Sequence, residues 1–208
     1  MYVMIRRTAL EGSAEEAAQR VRDNVVPLVH GRPGFRGYCG FVTEQGDAAY
    51  AISVFDDRDT AMDAHDRVRA WIGANMRDLM PEQPVVVAGE AVFHEVVHPQ
   101  KQRKDRQPSL FVVIRQYDGV SGQTESMRSM VSEHTLPVIV QSPGFRGFYA
   151  FRDQQNPSHA VSVTLFDTRD EAMRSHERVV EIMREKLGEL APRPPKTVMG
   201  ETVVLATV

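Results

Sequence analysis

The chain has 208 residues, of which 42% are hydrophobic and 25% charged, with a formal net charge of −3. No apolar run is long enough to cross a membrane, the N-terminal MYVMIRRTALEG lacks the pattern of a signal peptide, and the basic residues are mostly scattered, so neither a membrane nor a nucleic-acid partner is expected. Cys39 is the only cysteine, which excludes an internal disulfide and any multi-cysteine zinc site, and a cytoplasmic location is the default expectation.

In chain order, alternation predicts a strand near Tyr2–Thr8, then a helix near Ser13–His30 that stops at Gly31 with Pro33 close behind. Strands near Phe35–Thr43 and Ala48–Phe55 follow. A second helix is predicted near Arg58–Leu79, with Asp56 and Asp59 placed to cap its N-terminus, and then a strand near Val85–Val97. The order then begins again. Strands near Leu110–Tyr117, Phe145–Arg152, His159–Phe166 and Thr197–Val208 repeat the first set, and Asp167 with Asp170 repeats the expected cap.

The repetition is also literal. PGFRGYCGF at Pro33–Phe41 returns as PGFRGFYAF at Pro143–Phe151, and FDDRDTAMDAHDRV at Phe55–Val68 returns as FDTRDEAMRSHERV at Phe166–Val179. A period of about 110 residues is too long for a solenoid unit, so each copy is expected to be a domain with its own core. The domains are placed at residues 1–97 and 110–208. Between them His98–Ser109, polar and basic between prolines, is expected to be a linker over the surface.

Each copy therefore reads βαββαβ, the ferredoxin-like plan of a four-stranded antiparallel sheet with both helices on one face. The predicted fold class is α+β. Because AYAISVF is apolar on both faces, the face without helices must also be covered, and the sheet of the other copy is the expected cover.

With PGFRGY, VFDDRDTAMDAH and this strand order, the chain resembles the antibiotic biosynthesis monooxygenase-like family of dimeric α+β barrels, in both copies. The resemblance implies an intramolecular barrel in place of the usual homodimer, a ligand cleft between sheet and helices in each copy, and no cofactor. Further homo-oligomerisation is left open. The heme-degrading branch of that family would require an asparagine in the first strand and a histidine about ten residues beyond His65. This chain has Ile5–Arg7 and Asn75 there, with Lys186 in the second copy, which speaks against heme.

His65 and His176 occupy equivalent positions on the apolar stripes of the second helices, Ala61–His65–Val68–Ile72 and Ala172–His176–Val179–Met183, so both are expected to face the cleft. They are the candidate catalytic residues, as proton acceptors; the competing reading is a packed imidazole bonded to a backbone carbonyl or to Tyr38. Arg36 and Arg146, with an aromatic residue two positions on, are candidate anion holders, or else partners of a carboxylate at the barrel seam. Arg6 and Arg115 in the first strands carry the same two readings. Tyr38, Trp71 and Tyr149 are expected as wall residues of the substrate site. Trp71 aligns with Ile182, Cys39 with Tyr149 and His94 with Leu205, so the two clefts cannot be identical.

HEVVH at His94–His98 has zinc-protease spacing but lies in a β-branched run, where residues four apart stand roughly 13 Å from each other, so no metal site is expected. The functional expectation is a small-molecule-binding protein resembling cofactor-independent monooxygenases, acting on a small hydrophobic, aromatic or polyketide-like molecule. The alternative is non-catalytic ligand binding, or a structural pseudo-dimer with its clefts filled by side chains such as Met62 and Met173.

Overall fold

The structure is a computed structural model that describes residues 1–97, 109–119, 124–187 and 195–207. Most of the expected linker therefore lies outside the described residues, as does His98 of the HEVVH string. The elements are β1 (Tyr2–Ala9), α1 (Ala14–Arg20), α2 (Val26–His30), β2 (Phe35–Val42), β3 (Ala48–Phe55), α3 (Arg58–Asn75) and β4 (Val85–Val96). The second set is β5 (Phe111–Tyr117), α4 (Thr124–Met130), α5 (Leu136–Gln141), β6 (Phe145–Arg152), β7 (Ala160–Phe166), α6 (Arg169–Leu187) and β8 (Lys196–Thr207). Hydrogen bonding orders the strands β1-β3-β2-β8-β5-β7-β6-β4 in a closed antiparallel barrel, so the ferredoxin-like repeats and the α+β barrel read from the sequence are both present.

Two compact units make up the chain, Met1–Ala91 with Gly200–Val208, and Val92–Met199. They differ from the sequence repeats in their last strands. The end of β8 belongs to the first unit, where Thr202–Thr207 pair with Gly37–Phe41 of β2. Reciprocally, the end of β4 belongs to the second unit, where the Val97 amide donates to the Arg146 carbonyl at 3.0 Å.

The single first helix expected over Ser13–His30 is interrupted. Ser13 caps it by accepting from the Glu16 amide, but Val21–Val25 forms a π-helical turn before α2, and Val131–Thr135 does the same between α4 and α5. The cause is Pro27 and Pro137, each near the start of the segment that follows. A proline ring clashes with the carbonyl four residues back and supplies no amide, and a widened turn accommodates both. Helix α3 is capped by Asp57, whose carboxylate accepts from the Thr60 amide at 2.9 Å, rather than by Asp56. It ends at Asn75, short of Leu79, where Arg20 donates to the Asn75 carbonyl at 3.1 Å and to Asp78 at 3.0 Å.

In the first unit the strand face beneath the helices carries Tyr2, Met4, Tyr38 and Phe55, packed against Val25, Val29, Ala61, Val68 and Met76. Val3, Ile5, Cys39, Phe41, Ile52 and Val54 on the other face are buried too. Each such apolar side chain contributes about 1.5–3 kcal/mol when fully withdrawn from water. Phe111, Val113, Phe148, Phe166, Ile139 and Val179 form the matching helix-side core of the second unit.

Candidate functional site

In both units the helix face of the first strand carries an arginine inside this apolar layer. Arg6 is 4% exposed and Arg115 1%. Neither meets a carboxylate among the described residues. Arg6 donates through Nε to His65 Nδ1 at 3.0 Å and through Nη1 to Ser53 Oγ at 3.0 Å. Arg115 donates through Nε to His176 Nδ1 at 2.9 Å and through Nη1 to Thr164 Oγ1 at 3.2 Å. In each case Nη2 is buried without a hydrogen-bond partner among the described residues.

Both guanidinium groups line a cavity. The first, about 80 Å³, lies between β1–β3 and the helices and is also lined by Tyr38, His65, Val68 and Ile72. The second, about 250 Å³, has Arg115, Tyr117, Phe148, Val179 and Met183 in its wall. Residues of the exchanged strand ends, Val203–Val204 and Val92–Phe93 respectively, complete the two walls.

Burial lowers the Arg6 pKa to about 10, opposed by nearby Tyr38, and burial raises the Tyr38 phenol to about 12. Arg115 is lowered and Tyr117 raised for the same reason. Burial, reinforced by the adjacent arginine charge, pushes His65 and His176 down to about 4. A guanidinium has only donors, so each Nδ1 must be the unprotonated acceptor and the neutral imidazole carries its hydrogen on Nε2. What the site presents is therefore a desolvated cation with one donor nitrogen unused, held by a neutral histidine and a hydroxyl. Such a group suits an anionic oxygen, because a buried N–H without a partner costs about 1–3 kcal/mol that a ligand oxygen would recover.

Several sequence-derived site residues fall elsewhere. The proton-acceptor role expected of His65 and His176 conflicts with the geometry, since the basic nitrogen of each is already taken by arginine. His65 lines the first cavity, whereas His176 reaches the second only through Arg115. Arg36 and Arg146 are not in either cavity wall. Each is the extra residue of a β-bulge, between Phe35 and Gly37 and between Phe145 and Gly147, which breaks the alternation that would have put it beside Tyr38 or Phe148. They turn instead to two-pronged bonds with Asp56 (2.6 and 2.9 Å) and Asp167 (2.6 Å each).

Of the expected wall residues Tyr38 lines a cavity. Trp71 packs half-buried at the edge of the first core, and Tyr149 lies on the opposite strand face, in register with Val163. Cys39 is buried, with burial raising its pKa to about 12, which leaves it an unreactive thiol. His94 sits in β4, and no cluster of metal-ligating side chains occurs among the described residues. None of their helices is long and apolar enough to cross a membrane.

Comparison with known proteins agrees with this architecture. The family model for antibiotic biosynthesis monooxygenase matches residues 1–73. A candidate monooxygenase from Fusobacterium nucleatum superposes with a TM-score of 0.78 at 9% identity, covering 99% of this chain and 94% of its own. One from Lactobacillus acidophilus gives 0.73 at 12% identity, covering 99% and 95%. An anthrone oxidase-like protein gives 0.61 at 9% identity, covering 99% and 92%. No curated protein matches the chain.

Proposed function

We propose that this chain, whose first repeat is an antibiotic biosynthesis monooxygenase domain and whose strands close into the barrel of that family, binds a small aromatic or polyketide-like molecule as an enolate or phenolate on a buried arginine. The observation that carries this reading is the unpartnered, buried Nη2 of Arg6 and Arg115, two arginines that each line a mainly apolar cavity. An enol or phenol held there is stabilised in its anionic form, and an electron-rich carbanion or enolate can reduce dioxygen directly. In that chemistry a ring CH2 and O2 become a carbonyl and water. The chain's own contribution is to exclude water, to fix the ring against the apolar wall and to hold the charge that develops on oxygen. His65 and His176 act here as positioning residues for the guanidinium. The second cavity, at about 250 Å³, has room for a fused-ring substrate, and the first does not at about 80 Å³.

The test is oxygen consumption by the full chain with anthrone as the probe, beside Arg115→Met and Arg6→Met variants checked for folding by thermal melting. Methionine keeps the volume of the stem and removes the charge. The expected result is turnover above buffer that falls at least about 100-fold in Arg115→Met, since charge-assisted bonds made in the transition state are worth about 3 kcal/mol, and little change in Arg6→Met. Turnover that survives in Arg115→Met overturns the assignment. Saturable binding of anthrone without oxygen uptake reduces the reading to ligand binding alone.

A further inference from the structure

Arg6 is a buried cation whose described hydrogen-bond partners are all neutral. The His65 imidazole accepts from Nε, the Ser53 hydroxyl accepts from Nη1, and Nη2 has no partner among the described residues. Tyr38 is the polar side chain beside this group. Ser53 faces Tyr38 directly across the β3–β2 ladder, so the phenol starts one cross-strand step, about 4.5–5.5 Å between Cβ atoms, from the residue that holds the guanidinium. Tyr38 is buried, and its hydroxyl makes no hydrogen bond among the described residues. Burial raises its pKa to about 12, which leaves it an uncharged donor at neutral pH. The second unit carries Phe148 at the aligned position, so this extra donor belongs to the first unit alone.

Resting on the anion-holding reading above, we infer that the first cavity is a separate site for a short-chain carboxylate, whose two oxygens are shared between the Arg6 guanidinium and the Tyr38 hydroxyl. Charge supports this. A cation withdrawn from water is costly unless it is paired, and among the described residues of the wall Glu82 is the only carboxylate, exposed to solvent and not bonded to Arg6. Size supports it too. The cavity, at about 80 Å³, is too small for the fused rings expected in its counterpart, yet it exceeds several-fold the about 10–15 Å³ that one water requires. Ala14, Ala17 and Ala18 of α1 give the wall small apolar side chains against which a short alkyl end can pack. A carboxylate offers acceptors to two donors at once, which an alcohol or a simple ketone does less well.

The experiment compares propionate with its neutral isostere propionamide by calorimetry on the full chain at constant ionic strength. The wild-type chain is expected to bind propionate at least about tenfold tighter. That preference should persist in Arg115→Met, disappear in Arg6→Met and shrink at least about threefold in Tyr38→Phe. The tyrosine change installs what the second unit carries at the aligned position, so it should fold. Melting curves check all three variants, and Tyr38→Phe decides alone if Arg6→Met does not fold. Equal affinity for the two probes, no binding of propionate, or a preference unchanged in Tyr38→Phe or in folded Arg6→Met overturns the inference. So does a preference that vanishes in Arg115→Met, which would put the anion in the second cavity. None of these outcomes decides the aromatic-ligand reading of the second cavity, which stands or falls with anthrone turnover in Arg115→Met.

Discussion

Arg6 donates to Nδ1 of His65 rather than receiving anything from it, so the histidine on the cavity wall is held as a neutral imidazole and the arginine as the charged group. Arg115 and His176 repeat the arrangement 109 and 111 residues later. A pair in this order works as a cation with a fixed orientation rather than as a base with a helper. Ser53 and Thr164, equivalent hydroxyls on β3 and β7, hold the second arm of each guanidinium, and the third nitrogen is buried without a hydrogen-bond partner among the described residues.

The histidines should therefore not titrate near neutrality. Their pKa values are lowered from 6.5 to about 4, chiefly by burial, so the folded state binds fewer protons than the unfolded chain between those limits. Each histidine thus contributes stability that is complete above pH 6.5 and is lost as pH falls towards 4. Nitrogen-detected NMR should find both as Nε2–H tautomers at pH 6, and the His65→Leu/His176→Leu variant should show a flatter stability profile between pH 6.5 and 4. Titration of either imidazole close to 6.5 would contradict the arginine-bound geometry.

Changing Arg36 and Arg146 to glutamine should leave ligand binding within about twofold and lower stability only slightly, because solvent screens both surface ion pairs. Both arginines are about one-third to one-half exposed, and their carboxylate partners sit at the helix-entry turns rather than in the cavities. The discriminating comparison is with Arg115→Met, measured on the same probe. A tenfold or larger loss of affinity from the glutamine changes would return the bulge arginines to the site.

The contrast between these two sets of arginines shows where the sequence was readable. Strand limits such as Phe35–Val42 and Ala48–Phe55 follow from alternation bounded by turn residues, and the helix stripe through Ala61, His65 and Val68 correctly points at the strands. The bulge at Arg36 is not local information. It depends on Phe35 pairing with Phe55 while Gly37 pairs with Val54, a register set by the packing of both aromatic rings. Arg6 did leave a signal, since a charged residue recurs as Arg115 directly after a matching apolar run at the start of each repeat's first strand. Its meaning lies in its partners, since His65 and Ser53 rather than a described carboxylate hold it. The exchange of β4 and β8 ends is equally invisible to repeat alignment, because the aligned strands look alike wherever they pair.

That exchange makes the first cavity depend on the last residues of the chain. Thr202–Thr207 form the ladder beside β2, Val204 is 4% exposed in the core of the first unit, and Val203 and Val204 both line the cavity that holds Arg6. Deleting Gly200–Val208 should remove this ladder and the buried valine together, destabilising the protein by on the order of 3 kcal/mol or more through lost apolar burial and an uncovered strand edge. Thermal melting should show the loss, and a fluorescent probe of apolar surface should bind the truncated chain. A synthetic peptide spanning Lys196–Val208, added in excess, should restore the melting temperature by re-pairing with β2, because the strand edge it needs is presented by Gly37–Phe41. The same peptide carrying Val204→Asp should fail, since it would bring a charge into the apolar layer under α1. If truncation left the melting curve unchanged, or if the aspartate peptide rescued as well as the native one, the C-terminal strand could not be the wall of the first cavity.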